Sequence, residues 1–175
     1  GIRIAAHHFL KAGDMMLRVT VLCVGKLKEA FWRDASAEYE KRMGNFCRLS
    51  VIEIEEERLP DNPSQAQIHQ GLQNEGRRLL AKVPDGAAVI TLCIEGKMLT
   101  SPQLAERIEE LALRGHSDIV LIIGSSHGLA PAVKEASSLR LSMSGMTFPH
   151  QLARVMLLEQ LYRAFQINAG GKYHK

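Results

Sequence analysis

The chain has 175 residues, 46% hydrophobic and 23% charged, a balance that excludes wholesale disorder and supplies one sizeable core rather than two. A formal charge of +3 allows an anionic partner without demanding one, since nucleic-acid-binding domains are often more basic. No apolar run approaches the roughly 20 residues that a membrane-spanning helix needs.

The first residues, GIRIAAHHFLKAGD, lack the apolar core and cleavage site of a signal peptide and fit poorly with the regular pattern downstream of them. Residues 1–15 are therefore expected to be an N-terminal extension, with a single domain over 16–175. His7 and His8 are adjacent, but in such a leader nothing gives them a metal-ligand geometry. From Leu17 the pattern is β-branched and apolar up to Gly25, a strand with a turn. Over 28–44, Phe31, Ala35, Tyr39 and Met43 recur at steps of four and predict one face of a helix that stops at Gly44. A second strand comes next at CRLSVIEIE, and the acidic run Glu53–Glu57 with LPDNPS is expected to be a solvated loop.

Ser64 is placed to cap a helix that runs to about Lys82 and ends before PDG. AAVITLCIEG is a near-continuous apolar run, as in a strand buried on both faces. TSPQLAERIEELALRG opens with capping chemistry, carries Pro102 in its first turn and ends at Gly115. SDIVLIIGSSHG is a second buried strand, followed by a short helix near 130–138, a brief strand at Leu139–Ser142 and a last long helix. Strands alternating with helices define an α/β class with a mostly parallel sheet covered by helices on both faces. Ligands of such sheets sit beyond the carboxyl ends of the strands, here the loops after Leu92, after Ile123 and around Ser144–Pro149.

Cys23, Cys47 and Cys93 are far apart in apolar runs, with no CxxC pair and no zinc spacing, so a reducing cytoplasm fits better than secretion and no metal is expected. GSSHG matches G-x-S-x-G between a strand and a helix, which in a hydrolase would make Ser126 a nucleophile. The required order of acid and then histidine is missing, because Glu135 and Glu159 are the only downstream acids and His150 precedes Glu159. The glycines are better read as letting the backbone turn and approach a ligand. Neither GxGxxG nor a Walker lysine is present, so a cofactor would be held by backbone at the strand ends. In the last helix His150 and Arg154 are four apart and share a face, while Glu159 and Arg163 form a helix-stabilising pair nearly opposite. His150 stands at the helix start, where outward N–H groups favour anions and an imidazole can position a substrate or relay a proton.

Taken together, IIGSSHGL, LSMSGMTFPHQLARVMLLEQLYRAF, the terminal YHK and the early VGKLKEAFWRDASAEYEKR resemble the RlmH family of SPOUT-class methyltransferases. The joint pattern T-x-P-H-x-x-x-R, E-x-x-Y-R-A and a final Y-H is specific, and the likeness spans Met16 to Lys175. The resemblance implies a C-terminal trefoil knot that composition could not reveal, and S-adenosyl-L-methionine as cofactor. It implies transfer to N3 of a pseudouridine in 23S large-subunit ribosomal RNA, on the assembled ribosome, by a homodimer. Leu92, Gly124, Ser125, Ser144, Gly145, Met146, Thr147, Phe148 and Pro149 would hold the cofactor. His150, Arg154 and the partner subunit's His174 would serve catalysis, and Arg154, Tyr173, His174 and Lys175 the RNA. Ser125 departs from the usual second glycine, and its side chain would either crowd the cofactor or add a hydrogen bond; Lys172 also stands where a proline is common. The alternative is a non-catalytic RNA- or ribosome-binding module of the same fold.

Overall fold

The computed structural model describes residues 16–170. The expected extension 1–15 and the tail residues Tyr173, His174 and Lys175 lie outside the described residues. Ten elements succeed one another: β1 Arg18–Val24, α1 Ala30–Met43, β2 Arg48–Ile54, α2 Gln65–Leu80, β3 Ala88–Met98, α3 Ser101–Leu113, β4 Asp118–Ile123, α4 Pro131–Ala136, β5 Leu139–Ser142 and α5 His150–Asn168. All strand pairs are parallel, in the order β2-β1-β4-β3-β5. The expected α/β class with helices on both faces is thus the architecture found.

Local chemistry explains the helix starts. Ser64 accepts the Gln67 N–H while the Gln67 side chain accepts the Ser64 N–H, and Thr100 and Gln103 repeat the arrangement. Each such reciprocal cap satisfies two donors that the first turn would otherwise leave open. Side chains alternate across the sheet with the period of two that strands impose. Val19, Val21, Ile119 and Leu121 face α1, α3 and α5, where Leu157, Leu158 and Leu161 are buried against them. Leu22, Val120 and Ile122 face the opposite way, toward Leu79 of α2 and Val133 of α4. Double-sided burial is why β4 reads as an unbroken apolar run.

Three expectations are corrected. Phe31 does not join the buried face of α1; it is 62% exposed and leans on Trp32. β3 runs past Gly96 to Met98, pairing with β5 at Ile90–Leu92 and again at Lys97–Met98, with a register shift between. Gly96 permits this second approach, since a Cβ there would lie 2.6 Å from the Arg140 carbonyl oxygen. Finally, the acidic run is not a bare solvated loop. Glu53 belongs to β2 and meets Arg154, and Glu57 accepts from Arg78 at 2.6 Å.

Candidate active site

The carboxyl end of β4 turns sharply through Gly124–Gly128. A Cβ on Gly124 would stand 2.3 Å from the Gly128 carbonyl oxygen, so no side chain fits there. Gly128 takes φ +92°, a left-handed value that favours glycine, and its N–H donates to the Ser125 carbonyl at 2.9 Å. The Glu75 carboxylate on α2 accepts the Glu57 N–H at 3.0 Å and has Ser125 beside it. Burial pushes the Glu75 carboxyl upward, and the Glu57 N–H and the Ser125 hydroxyl oppose that rise.

The second wall comes from β3 and the third from the turn after β5. Ser142 donates its hydroxyl to the Ser144 carbonyl at 3.0 Å, and the Met146 N–H donates to the Ser144 hydroxyl at 3.0 Å. Between these three loops lies a cleft of about 690 Å³. Leu92, Gly124, Ser125, Ser144, Met146, Thr147, Phe148 and Pro149 all border it, as does His150; Gly145 does not. Residues that sequence reasoning missed also reach it, notably Ile94, Leu141 and Met143 as apolar wall, His127, and an ion pair of Glu95 with Lys134 at 2.5 Å. That pair draws the Glu95 carboxyl below its ordinary value, chiefly through the Lys134 hydrogen bond. Glu95 and Lys134 are 39 positions apart, and no periodicity links them.

α5 begins at His150 directly after Pro149, so the imidazole stands at the cleft border on the first helical turn. Arg154 does not share that exposed rim. It is only 4% exposed, donating to Glu53 at 2.7 Å and to the Gly25 carbonyl at 3.1 Å. Glu53 accepts the Leu27 N–H as well, at 3.3 Å. The guanidinium fork thereby ties α5 to the ends of β1 and β2, the bidentate use for which Arg is suited. Glu159 and Arg163 pair at 2.6 Å on the helix, as anticipated.

Burial raises the thiols of Cys23 and Cys47 to about 12, which makes them inert core groups. Ser126 is exposed and, among the described residues, hydrogen-bonds to no histidine, so the hydrolase arrangement is not assembled. No group of three or more metal-ligating side chains occurs among the described residues, and no helix is long and apolar enough to cross a membrane. Among the described residues other hollows include one of about 550 Å³ reached by Tyr39, Leu104, Val155 and Glu159, and one of about 300 Å³ beside Glu57, Asp61 and Glu75.

The cleft is of the size that holds a small organic ligand, and its floor combines apolar side chains with main-chain polar groups. A ligand with a flat heterocycle and a few polar edges suits such a wall: the rings take the apolar faces and the main chain reads the edges.

A parallel sheet with a glycine-built cleft at its carboxyl edge defines a class, and the family comparison agrees. The chain belongs to the SPOUT methyltransferase family, whose model, described as predicted SPOUT methyltransferase, matches residues 17–174. It is 51% identical over 159 residues to the ribosomal RNA large subunit methyltransferase H of Bifidobacterium adolescentis, covering 91% of this chain and 100% of that protein. Among solved structures it is similar to a putative methyltransferase from Legionella pneumophila in complex with the cofactor SAM, with a TM-score of 0.47, 12% identity and coverage of 89% of this chain and 67% of that one. Another is the SpoU methyltransferase AviRb from Streptomyces viridochromogenes in complex with AdoMet, with a TM-score of 0.41, 14% identity and coverage of 90% and 60%.

Proposed function

We propose that this chain is an S-adenosylmethionine-dependent methyltransferase acting on N3 of a pseudouridine in 23S ribosomal RNA of the large subunit. The observation that carries this reading is the 51% identity to a relative named as a large-subunit ribosomal RNA methyltransferase, spanning that protein's whole length. The cleft supports it independently, because it lies at the three loops where a backbone-held cofactor was expected. Gly124, with no space for a Cβ, and the tied turn at Ser144 fit a ligand gripped by main chain.

When bound, S-adenosylmethionine supplies an already activated sulfonium methyl, so alignment is the larger part of the task left to the protein. The turn from Ser144 to Pro149 and the loop after Ile123 hold and orient the cofactor. The acceptor base enters over His150, which positions it and takes up the N3 proton as the N–CH3 bond forms. Arg154, which the sequence placed in direct contact with substrate, is read instead as a positioning residue. Buried against Glu53 and Gly25, it fixes the first turns of α5 and so the height of His150 at the rim. Glu95 and Lys134 pair at the border of the cleft.

The trefoil knot, the homodimer and the cytoplasmic location complete the proposal. The double pairing of β3 with β5 around Leu141 is consistent with a threaded C-terminal segment. In the homodimer the partner subunit's Tyr173, His174 and Lys175 would reach the cleft and contact RNA, an aromatic, an imidazole and a cation suited to stacking and phosphate binding. The test is methyl transfer from labelled S-adenosylmethionine to ribosomes lacking the modification, with the methylated base mapped. One methyl on N3 of a large-subunit pseudouridine is expected. Cofactor binding without transfer to any RNA would favour the non-catalytic module.

A further inference from the structure

The loop that joins β1 to α1 sits beside the cleft. Cys23 of β1 pairs with Ile123 of β4, so the loop that follows β1 leaves the sheet edge beside the loop that follows β4. This loop is pinned from several sides. Gly25 donates its N–H to the Ile54 carbonyl at 2.9 Å and accepts from Arg154 at 3.1 Å. Leu27 is buried and donates its N–H to Glu53, while Arg33 returns from α1 to the Leu27 and Lys28 carbonyls.

What this frame presents outward is Lys26 and Lys28, both exposed. Among the described residues neither ammonium pairs with a carboxylate, whereas Lys134, at the cleft border, is paired with Glu95. A buried ion pair and five hydrogen bonds thus hold still a short loop whose exposed side chains are two unpaired cations. Long flexible lysines on a fixed backbone are phosphate contacts that need little further ordering of the main chain.

We propose that Lys26 and Lys28 grip the phosphate backbone of the substrate RNA, next to the nucleotide that enters the cleft over His150. The inference rests on the proposed RNA substrate and adds to it the track that the strand takes, from the cleft across the end of β1. Glu29 follows Lys28 directly, Asp34 lies on α1 and the Glu56 carboxylate stands beside Gly25, so the grip is local, two phosphates rather than a broad basic face.

The test measures binding of the full-length protein to assembled ribosomes lacking the methylation, as a function of KCl, for wild type, Lys26→Ala/Lys28→Ala and Lys26→Arg/Lys28→Arg. Each phosphate contact on a single strand contributes about 0.7 to the slope of log affinity against log salt. The alanine pair is expected to weaken binding and flatten that slope by about 1.4, with the arginine pair close to wild type and S-adenosylmethionine binding unchanged in all three. A slope in the alanine pair equal to wild type overturns the inference. Failure of wild type to methylate these particles, with the slope difference intact, would instead count against the proposed reaction while the RNA track stood. Wild type that does not bind them at all would overturn both.

Discussion

Along the carboxyl edge of the sheet, the β4, β3 and β5 side is walled by main chain, whereas the β1 and β2 side is tied by side chains. On the first side Gly124 and Gly96 bring backbone against backbone, and turns close through bonds such as Gly128 N–H to Ser125 O. On the second, Arg154 reaches Glu53 and Gly25 and no glycine contact of that tightness is involved. The difference teaches how one edge can serve two ligand chemistries. A wall of main chain and apolar side chains suits the faces and edges of a neutral heterocycle, while a side-chain frame can hold charged groups outward for an anionic strand.

The sharpest way to break the main-chain wall is to add one carbon to it. Gly124→Ala puts a Cβ 2.3 Å from the Gly128 carbonyl oxygen, so the loop must shift. Overpacking of this kind costs about 1–3 kcal/mol, and cofactor affinity should fall at least tenfold in a calorimetric titration. Gly96→Ala, 2.6 Å from the Arg140 carbonyl, should lower the unfolding midpoint by a comparable amount.

The side-chain frame is tested by Arg154→Met. Removing one partner of a buried pair costs about 3–5 kcal/mol; Glu53 is 33% exposed and can rehydrate, so about 2 kcal/mol is expected in chemical denaturation. Transfer should slow with cofactor binding kept, and Arg154→Lys should recover only part of the loss because an ammonium cannot bridge two acceptors as the fork does. His150→Ala leaves both walls standing, so it should lower single-turnover transfer by about 10²-fold without changing either cofactor affinity or stability.

The same contrast explains what could be read in the sequence. The strands and the carboxyl loops that border the cleft were legible because alternation and glycine placement are local signals. Leu92, Ser144 and Pro149 therefore fell where they were expected. Arg154 was misplaced because its partner Glu53 is 101 positions away, and the helical spacing to His150 gave the face without the neighbour that covers it. Glu95 and Lys134 were missed for the same reason, since their pairing depends on where the β3 excursion meets α4. Phe31 shows the converse error, a residue in register with a buried face that lies where nothing in the described chain covers it.

The smallest effect expected concerns the buried Glu75 carboxylate on α2. Ser125→Gly removes the hydroxyl beside it and should cost less than about 1 kcal/mol, with cofactor affinity nearly unchanged. Burial, the largest influence, raises the Glu75 carboxyl in the folded state. The stability this confers is fully present below the ordinary Glu value of about 4.3 and is lost as pH rises through the elevated folded value. Glu75→Gln should remove that component, flattening the pH dependence of the unfolding midpoint over the same window.

The central claim is that the glycine-built cleft at the ends of β4, β3 and β5 is the cofactor site. Calorimetric titration of S-adenosylmethionine into wild type, Gly124→Ala and His150→Ala tests it most directly. Saturable binding by wild type and His150→Ala, with strong loss in folded Gly124→Ala, is the predicted result. No binding by wild type, or undiminished binding by Gly124→Ala, would contradict it.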